Sequence, residues 1–201
     1  MTDELTFYHN PRSRAQMAHW MLEEVGAPYR IVMIDLEKGE NRQPDFLAIN
    51  PMGKLPAIVH RGVTVTETAA IIGYLADAFP EAGLAPAADD PQRGTWWRWL
   101  VFGASAFEPA LLDTMMKRPE APRGSVGYGS YEDVLGALET MLDPGPWILG
   151  DRFSAADVYL GSELAWAVSF GAPAISERPR LAGYIERVKE RPAYQRTTGS
   201  N

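Results

Sequence analysis

The chain has 201 residues, of which 46% are hydrophobic and 22% charged, and its formal net charge is −7. This composition provides enough apolar residues for one large core or two small ones. The acidic charge and the lack of a basic run argue against nucleic acid as a partner. No apolar stretch approaches the ~20 residues that cross a bilayer, and the acidic start predicts no signal peptide. We therefore expect a cytoplasmic protein that does not bind membranes.

The chain contains no cysteine and only three histidines, His9, His19 and His60. The lack of cysteine excludes disulfides, thiolate metal ligands and a cysteine nucleophile, and with them a thioredoxin-type reductase. The histidines do not have the spacing of zinc ligands, so we expect no metal site. Any thiol chemistry must therefore use a thiol that the substrate brings.

The first part of the chain has the pattern of a small α/β domain. An aromatic run at 5–8 predicts a strand, and the capping-box pattern Ser13-Arg14-Ala15-Gln16 predicts the start of a helix that ends at Gly26. An apolar run at 29–34 completes a βαβ unit, whose two strands should be parallel. Two strands and a helix are predicted next, at 57–60, 63–66 and 67–79. The order βαβ, irregular segment, ββα is that of a thioredoxin-like domain.

Beyond residue 80 the patterns are helical. Residues 81–93, rich in proline, glycine and alanine, predict a linker. Helices are predicted at 95–116, either continuous or kinked near Pro109, and at 131–142, 154–170 and 179–188, with a last turn at 192–196. We therefore predict a thioredoxin-like domain over 1–80 and an all-helical domain over 94–201.

Four segments spread along nearly the whole chain resemble the glutathione transferase superfamily. They are residues 8–15 (YHNPRSRA), 50–58 (NPMGKLPAI), 65–71 (VTETAAI) and 150–158 (GDRFSAADV). The resemblance implies an N-terminal domain that binds glutathione, an all-helical C-terminal domain and, as is usual in the family, a homodimer.

The resemblance places the glutathione site at the second and third segments. Pro56 matches a proline that the family keeps cis, which would expose the backbone of Leu55 to the cysteinyl part of glutathione. Glu67 would accept a hydrogen bond from the γ-glutamyl ammonium, and Thr68 would donate to an anion at the helix start. The family usually has serine where Thr68 stands. Lys54 would meet a glutathione carboxylate.

The residues of the third segment also permit a purely structural interpretation. Thr66 has the side chain of an N-cap, and Glu67 would then be a favourable acid in the first helical turn. The two interpretations of Glu67 are compatible.

The loop after the first strand contains the residues expected to activate the thiol. A free thiol has a pKa of about 8.5, so the protein must favour the thiolate by a hydrogen bond or a positive charge. The candidates, in order of preference, are Ser13, Asn10 and Tyr8, with Arg12 supplying positive potential. Each of the three has a structural alternative: Ser13 as an N-cap, Asn10 as a turn residue and Tyr8 as a core aromatic.

The family places its electrophile pocket between the Tyr8 loop and the first helix of the second domain. That helix is rich in aromatic residues and methionine, and Phe107 and Met116 are the residues that we expect to contact an electrophile. The expected activity is detoxifying transfer of glutathione to a small hydrophobic electrophile. A glutathione-dependent isomerase, dehalogenase or ether-cleaving enzyme, and a non-catalytic binding module, are the alternatives.

Overall fold

The computed structural model describes residues 4–198, and they form two compact units. The first unit contains the chain up to Ala82 together with the segment from Pro192 onward, and the second contains Gly83–Arg191. The sequence-based domains, 1–80 and 94–201, assign the last helix to the other unit. Among the described helices, none has the length and apolar composition that a membrane crossing requires.

A four-stranded sheet forms the centre of the first unit. Its strands are β1 (Leu5–His9), β2 (Arg30–Met33), β3 (Ala57–His60) and β4 (Val63–Thr66), in the order β2-β1-β3-β4. β1 and β2 are parallel, whereas β3 is antiparallel to both of its neighbours. The helices of this unit are α1 (Ala15–Val25), α2 (Pro44–Leu47), α3 (Thr68–Ala78) and, at the end of the chain, α9 (Pro192–Thr198). This is the predicted thioredoxin-like order, with the short α2 as an addition.

The start of α1 differs from the predicted capping box. The helix begins at Ala15, so Ser13 and Gln16 are each one position away from those that a capping box needs. The Ser13 hydroxyl accepts a hydrogen bond from the Ala15 N–H at 3.2 Å. The Gln16 side-chain oxygen is buried without a partner within residues 4–198. The predicted end of the helix is confirmed, because Gly26 has a φ of 72° and its N–H donates to the Leu22 carbonyl.

The last helix belongs to the first unit because it packs on α1. The rings of Trp20 and Tyr194 meet edge to face at 5.0 Å between their centroids. Arg196 donates to the Glu23 carboxylate at 2.7 Å, and the Tyr29 hydroxyl donates to the same carboxylate at 2.7 Å. Helix α9 is therefore attached by both an aromatic contact and an ion pair.

A pair of imidazoles lies next to this attachment, between β1 and α1. The His9 ring is 5.0 Å from the rings of Phe7 and His19, and His19 Nε2 hydrogen-bonds the Tyr29 hydroxyl at 2.9 Å. Burial, together with the nearby His19, lowers the pKa of His9 to about 4. Burial also lowers the pKa of His19. Both residues are therefore neutral in the folded protein near pH 7.

The second unit is all-helical. It consists of α4 (Arg93–Phe102), α5 (Glu108–Met115), α6 (Tyr131–Thr140), α7 (Ala155–Ser169) and α8 (Pro179–Lys189). The predicted helix at 95–116 is interrupted by a π-helical turn at Gly103–Phe107. The cause is Pro109, which cannot donate a backbone hydrogen bond and whose ring crowds the carbonyl four residues earlier. Helix α7 is central, since 12 of its 15 residues are buried.

The buried carboxylate of Asp157 fixes the start of α7. It accepts hydrogen bonds from the backbone N–H groups of Ile148 and Ser154, both at 2.9 Å, and from the hydroxyls of Ser154 and Tyr184, both at 3.1 Å. The predicted capping box of Ser154 and Asp157 is present. Burial raises the pKa of Asp157 to about 6, although the hydrogen bonds oppose that shift. One side chain thus joins α7, α8 and the turn at Ile148.

We expect Asp157→Ala to destabilise the protein strongly. The substitution leaves the N–H groups of Ile148 and Ser154 buried without an acceptor, at a cost of about 1–3 kcal/mol each, so the free energy of unfolding should fall by roughly 4 kcal/mol. Denaturant-induced unfolding measures this change. The exposed Asp151→Ala is the control and should change stability by less than about 0.5 kcal/mol. Equal effects of the two substitutions would contradict the role of Asp157.

The imidazole pair predicts a loss of stability in acid. A histidine whose pKa is lowered by folding stabilises the fold as the neutral form; this contribution is complete above pH ~6.5 and is lost as the pH falls towards about 4. The melting temperature of the wild type should therefore fall more steeply over this range than that of His9→Phe, which keeps an aromatic ring that does not titrate. If the melting temperatures of the two proteins fell equally with pH, His9 would not be responsible for the loss of stability in acid.

Candidate functional site

The register of the sheet brings the three N-terminal motifs to one edge. Tyr8 pairs with Ala57, and Ala57 pairs with Thr66 on the next strand. The loop after β1, the turn before β3 and the start of α3 after β4 therefore leave the sheet side by side. Two strand separations span roughly 10 Å, which is about the extended length of a tripeptide backbone.

The turn before β3 presents an unpaired backbone. The bond between Leu55 and Pro56 is cis, as the family resemblance implies. Neither backbone polar group of Leu55 has a hydrogen bond among residues 4–198. Leu55 also packs, partly buried, against the cluster of Ile34, Phe46 and Ala57. Its backbone is thus available for strand-like pairing with an extended ligand.

Two asparagines that the sequence analysis gave no role hold this turn in place. The Asn50 amide, which is buried, donates to the Lys54 carbonyl at 2.8 Å, and its oxygen accepts from the Met52 N–H at 3.0 Å. The Asn41 amide donates to the Gly53 carbonyl at 2.9 Å. Gly53 has a φ of 61°, and a Cβ there would lie 2.7 Å from the Asn41 carbonyl oxygen. The signal for such a role was the dipeptide Asn50-Pro51, which is typical of turns.

The third motif forms an open helix start. Glu67 is the N-cap of α3, so the alternative with Thr66 as N-cap is wrong. The physical reason is the φ of 66° at Glu67, which turns the chain immediately before the helix. The first helical hydrogen bond runs from the Ile71 N–H to the Glu67 carbonyl, which leaves the N–H groups of 68–70 facing outward. A positive φ at a residue other than glycine is strained, and strain of this kind is concentrated at functional sites.

The side chains of this motif are available to a ligand. Within the described residues, neither the Glu67 carboxylate nor the Thr68 hydroxyl has a hydrogen-bond partner, and the same holds for the Lys54 ammonium. Glu67 and Lys54 are exposed and Thr68 is half-buried. Together they offer one acceptor for a cation and two donors for anions.

The loop after β1 is held by internal hydrogen bonds. The Ser13 hydroxyl donates to the Asn10 carbonyl at 2.7 Å. The Asn10 amide is buried; it donates to the Ile34 carbonyl and accepts from the Arg12 N–H, both at 2.9 Å. The half-buried ring of Tyr8 packs edge to face on Phe46 at 5.7 Å, and its hydroxyl has no partner in the part of the chain described.

These contacts change what each candidate can do. Ser13 has one hydroxyl hydrogen, which must turn away from Asn10 before it can reach a thiolate. Asn10 keeps one of its two amide hydrogens, and Tyr8 keeps its hydroxyl. Arg12 is exposed and pairs with Glu37 at 2.5 Å, so part of its positive potential is balanced. Each of the three thus keeps, or can free by rotation, one hydrogen-bond donor for a thiolate.

A shallow cavity of about 430 Å³ lies beside this loop. It is lined by residues of the loop, including Asn10 and Arg12, and by the segment that follows β2, including Asp35 and Glu40. The strand register explains the position of this cavity. His9 and Met33 are paired, so the carboxyl ends of the parallel strands β1 and β2 meet at the same edge of the sheet. Among residues 4–198 no three His, Asp or Glu side chains are grouped as metal ligands.

The predicted electrophile residues lie in the helical unit. Phe107 is fully buried, at the end of the π-helical turn, whereas Met116 follows α5 and is 60% exposed. Their contact with an electrophile stays a prediction.

Comparison with known proteins agrees with this architecture. Residues 3–77 match the family of glutathione S-transferase N-terminal domains, and residues 119–187 match the corresponding C-terminal domain family. A maleylacetoacetate isomerase from Pseudomonas aeruginosa is 30% identical over 210 residues, with 98% of this chain and 95% of that protein covered.

Solved structures show the same fold over the whole length. A glutathione transferase from Methylococcus capsulatus has a TM-score of 0.81 and 32% identity, with 98% of both chains covered. A glutathione transferase homologue from Sulfitobacter, solved with bound glutathione, has a TM-score of 0.76 and 27% identity, again with 98% of both chains covered. Both domain families occur in the expected order, and the similarity extends over nearly the entire chain. The chain therefore belongs to the glutathione S-transferase superfamily.

Proposed function

We propose that this protein binds glutathione at the sheet edge and transfers its thiolate to a small hydrophobic electrophile. The observation that carries the proposal is the register that sets the Leu55 backbone, the Glu67–Thr68 helix start and the loop after β1 side by side. These groups match the peptide backbone, the charged γ-glutamyl end and the thiol of one tripeptide. The Sulfitobacter homologue was solved with bound glutathione, which supports glutathione as the ligand of this protein.

Each end of glutathione has a complementary group. The cysteinyl backbone pairs with the N–H and carbonyl of Leu55, next to Pro56, as an added strand would. The γ-glutamyl carboxylate accepts from the Thr68 hydroxyl and the first N–H groups of α3, while its ammonium donates to Glu67. Lys54 binds the other carboxylate.

Activation of the thiol requires a lower pKa. Every pKa unit corresponds to about 1.4 kcal/mol of preferential stabilisation of the thiolate. A hydroxyl or amide that donates a hydrogen bond to the sulfur stabilises the thiolate in this way, and Arg12 adds positive potential. Ser13 remains our first candidate, followed by Asn10 and Tyr8. Holding the thiolate and electrophile together supplies much of the remaining rate enhancement.

The proposal also extends to the second substrate and to the assembly. Met116 is exposed and can contact the electrophile directly, whereas Phe107 is fully buried and must become accessible to do so. The protein acts in detoxification as a cytoplasmic homodimer. A second activity, glutathione-dependent isomerisation, is favoured by the relative named maleylacetoacetate isomerase. Product analysis distinguishes the two: conjugation consumes glutathione, whereas isomerisation regenerates it.

We expect Thr68→Val to weaken glutathione binding about tenfold, because it removes one hydrogen bond to a charged group and keeps the shape of the side chain. Calorimetric titration measures the affinity. Thr68→Ser, which restores the donor, should bind as the wild type does, and Thr64→Val, at an exposed position of β4, is the surface control. Unchanged affinity in Thr68→Val would refute this role of the hydroxyl. If the wild type did not bind glutathione at millimolar concentration, the proposal of an enzyme would give way to the alternative of a non-catalytic binding module.

The residue that activates the thiol can be identified from the pKa of bound glutathione. We expect Ser13→Ala to raise that pKa by about one unit, equivalent to one lost hydrogen bond of about 1.4 kcal/mol. The ultraviolet absorbance of the thiolate, followed against pH, measures it. Ser13→Thr should keep the wild-type value, and Tyr8→Phe should not shift it.

A merely structural role of Ser13 gives a different result. The Ala variant would then lose stability, through the bonds to Asn10 and Ala15, while the thiol pKa stayed constant. That outcome would move the assignment to Asn10, or to Tyr8 if Tyr8→Phe raised the pKa.

A further inference from the structure

Arg12, in the loop after β1, is tied to a neighbouring segment of the first unit. Its Nη2 donates to Glu37 Oε1 at 2.5 Å, which joins the loop to the segment that follows β2. Strands β1 and β2 are paired at His9 and Met33, so the two segments leave the sheet one strand separation, roughly 5 Å, apart. The strand register therefore brings the two side chains within reach of each other.

The backbone on both sides of this ion pair is fixed by side chains. The Arg12 N–H donates to the side-chain oxygen of Asn10 at 2.9 Å. The Glu37 N–H donates to the Asp35 carboxylate at 2.9 Å, and the Lys38 N–H donates to the same oxygen at 3.1 Å. An exposed ion pair usually loses most of its energy to the ordering of flexible groups. Because the backbone is already ordered here, the pair costs less to form, although each side chain is 73% exposed.

The acids beside Glu37 are engaged elsewhere. Asp35 pairs with the Lys38 ammonium at 3.0 Å, and Glu40 accepts a hydrogen bond from the Asp35 N–H at 2.7 Å. Asp35 and Glu40 line the same cavity of about 430 Å³ as Arg12 and Glu37. The charge of Glu37 can therefore be removed without breaking the bonds that hold this segment.

The partner of Arg12 matters because Asn10 and Ser13 lie on either side of it in the chain. A nearby positive charge lowers the pKa of a thiol, and a unit charge about 8 Å away in water changes that pKa by about 0.4 unit. A guanidinium that is bound to a carboxylate has much less effect, because the two charges nearly cancel. Arg14, the second arginine of the loop, is half-buried and stays unchanged in the variants below.

We infer that Glu37 is a positioning residue, which holds the Arg12 guanidinium beside the cavity and thereby limits the positive potential at the thiolate position. Loss of the Glu37 charge releases Arg12 and activates the thiol more strongly. The inference rests on the proposed function only in that glutathione supplies the thiol, since the field in the loop is a property of the chain itself.

A thiol introduced into the loop measures this field without glutathione. The chain contains no cysteine, so Ser13→Cys carries a single thiol, whose pKa is obtained from its alkylation rate against pH. Adding Glu37→Gln should lower that pKa by about 0.8 unit, half from the lost negative charge and half from the released Arg12. Glu81→Gln is the matched control, because Glu81 is an exposed acid beyond the far end of α3. It should change the pKa by less than about 0.1 unit.

A double-mutant cycle separates the release of Arg12 from the charge of Glu37 itself. With Arg12→Gln present, Glu37→Gln should lower the thiol pKa by only about 0.4 unit, since no cation is released. Equal shifts with and without Arg12 would overturn the inference. A shift no larger than that of Glu81→Gln would overturn it as well.

Salt and stability measurements distinguish a charge effect from a change in loop structure. In 1 M potassium chloride the Debye length is about 3 Å, so the shift caused by Glu37→Gln should fall below about 0.2 unit. The melting temperature should fall by less than about 2 °C, because an exposed ion pair contributes little to stability. A shift that persisted in high salt, or a larger loss of stability, would assign Glu37 a structural role instead.

Glutathione titration separates this inference from the proposed function. In the chain that keeps Ser13, Glu37→Gln should lower the pKa of bound glutathione by about 0.8 unit, which raises the thiolate fraction about sixfold at a pH well below that pKa. Glutathione that bound with an unchanged pKa would contradict the inference and leave the proposed transferase standing. If the wild type did not bind glutathione, the proposed transferase would fail, and the thiol of Ser13→Cys would still decide whether Glu37 holds Arg12.

Discussion

The candidate site depends on the pairing of three neighbouring strands at one level of the sheet. Tyr8, Ala57 and Thr66 are partners across β1, β3 and β4, so the segments that follow or precede them share one edge. A shift of one residue in either pairing would turn the side chains of the shifted strand to the opposite face. The buried residues Phe7 and Ile58 oppose such a shift, because each would lose its place in the core. The hydrophobic core thereby determines which polar groups meet at the edge.

Polar contacts then shape the segments at that edge. Asn41 and Asn50 bind three backbone groups of the turn before Leu55. The loop after β1 is held by Asn10, whose amide bridges to the end of β2. In both places a side chain forms hydrogen bonds with backbone groups that lie outside the sheet. These asparagines hold the backbone segments that form the candidate site.

Proteins similar to this chain are named for more than one reaction. Relatives at about 30% identity include a protein named as an isomerase, and solved relatives are named as transferases. One fold supports several reactions when the same thiol is presented to different second substrates, so the reaction depends on a few side chains. We propose that the loop of Tyr8, Asn10 and Ser13 holds the thiol in this chain, and each of these residues also has a structural contact.

Local sequence determined much of the architecture. The segments on either side of Arg61-Gly62, a predicted hairpin turn, were predicted as strands, and β3 and β4 have those bounds. Gly26 likewise marked the end of α1. The Ser154–Asp157 capping box was evident from spacing alone. These features depend on hydrogen bonds and turns within a few residues, which is the range over which sequence patterns carry information.

Other features were decided by tertiary structure. The positive φ of Glu67 and the return of α9 to the first unit were not evident in the sequence. The helix start at Ala15 also differed from the predicted capping box. A backbone conformation such as that of Glu67 is maintained by the surrounding structure against its local cost, and the position of α9 depends on contacts with Trp20 and Glu23, more than 170 residues away along the chain. The sequence by itself therefore determined the family, the strands and most helices, whereas packing between distant segments decided which groups come together at the candidate site.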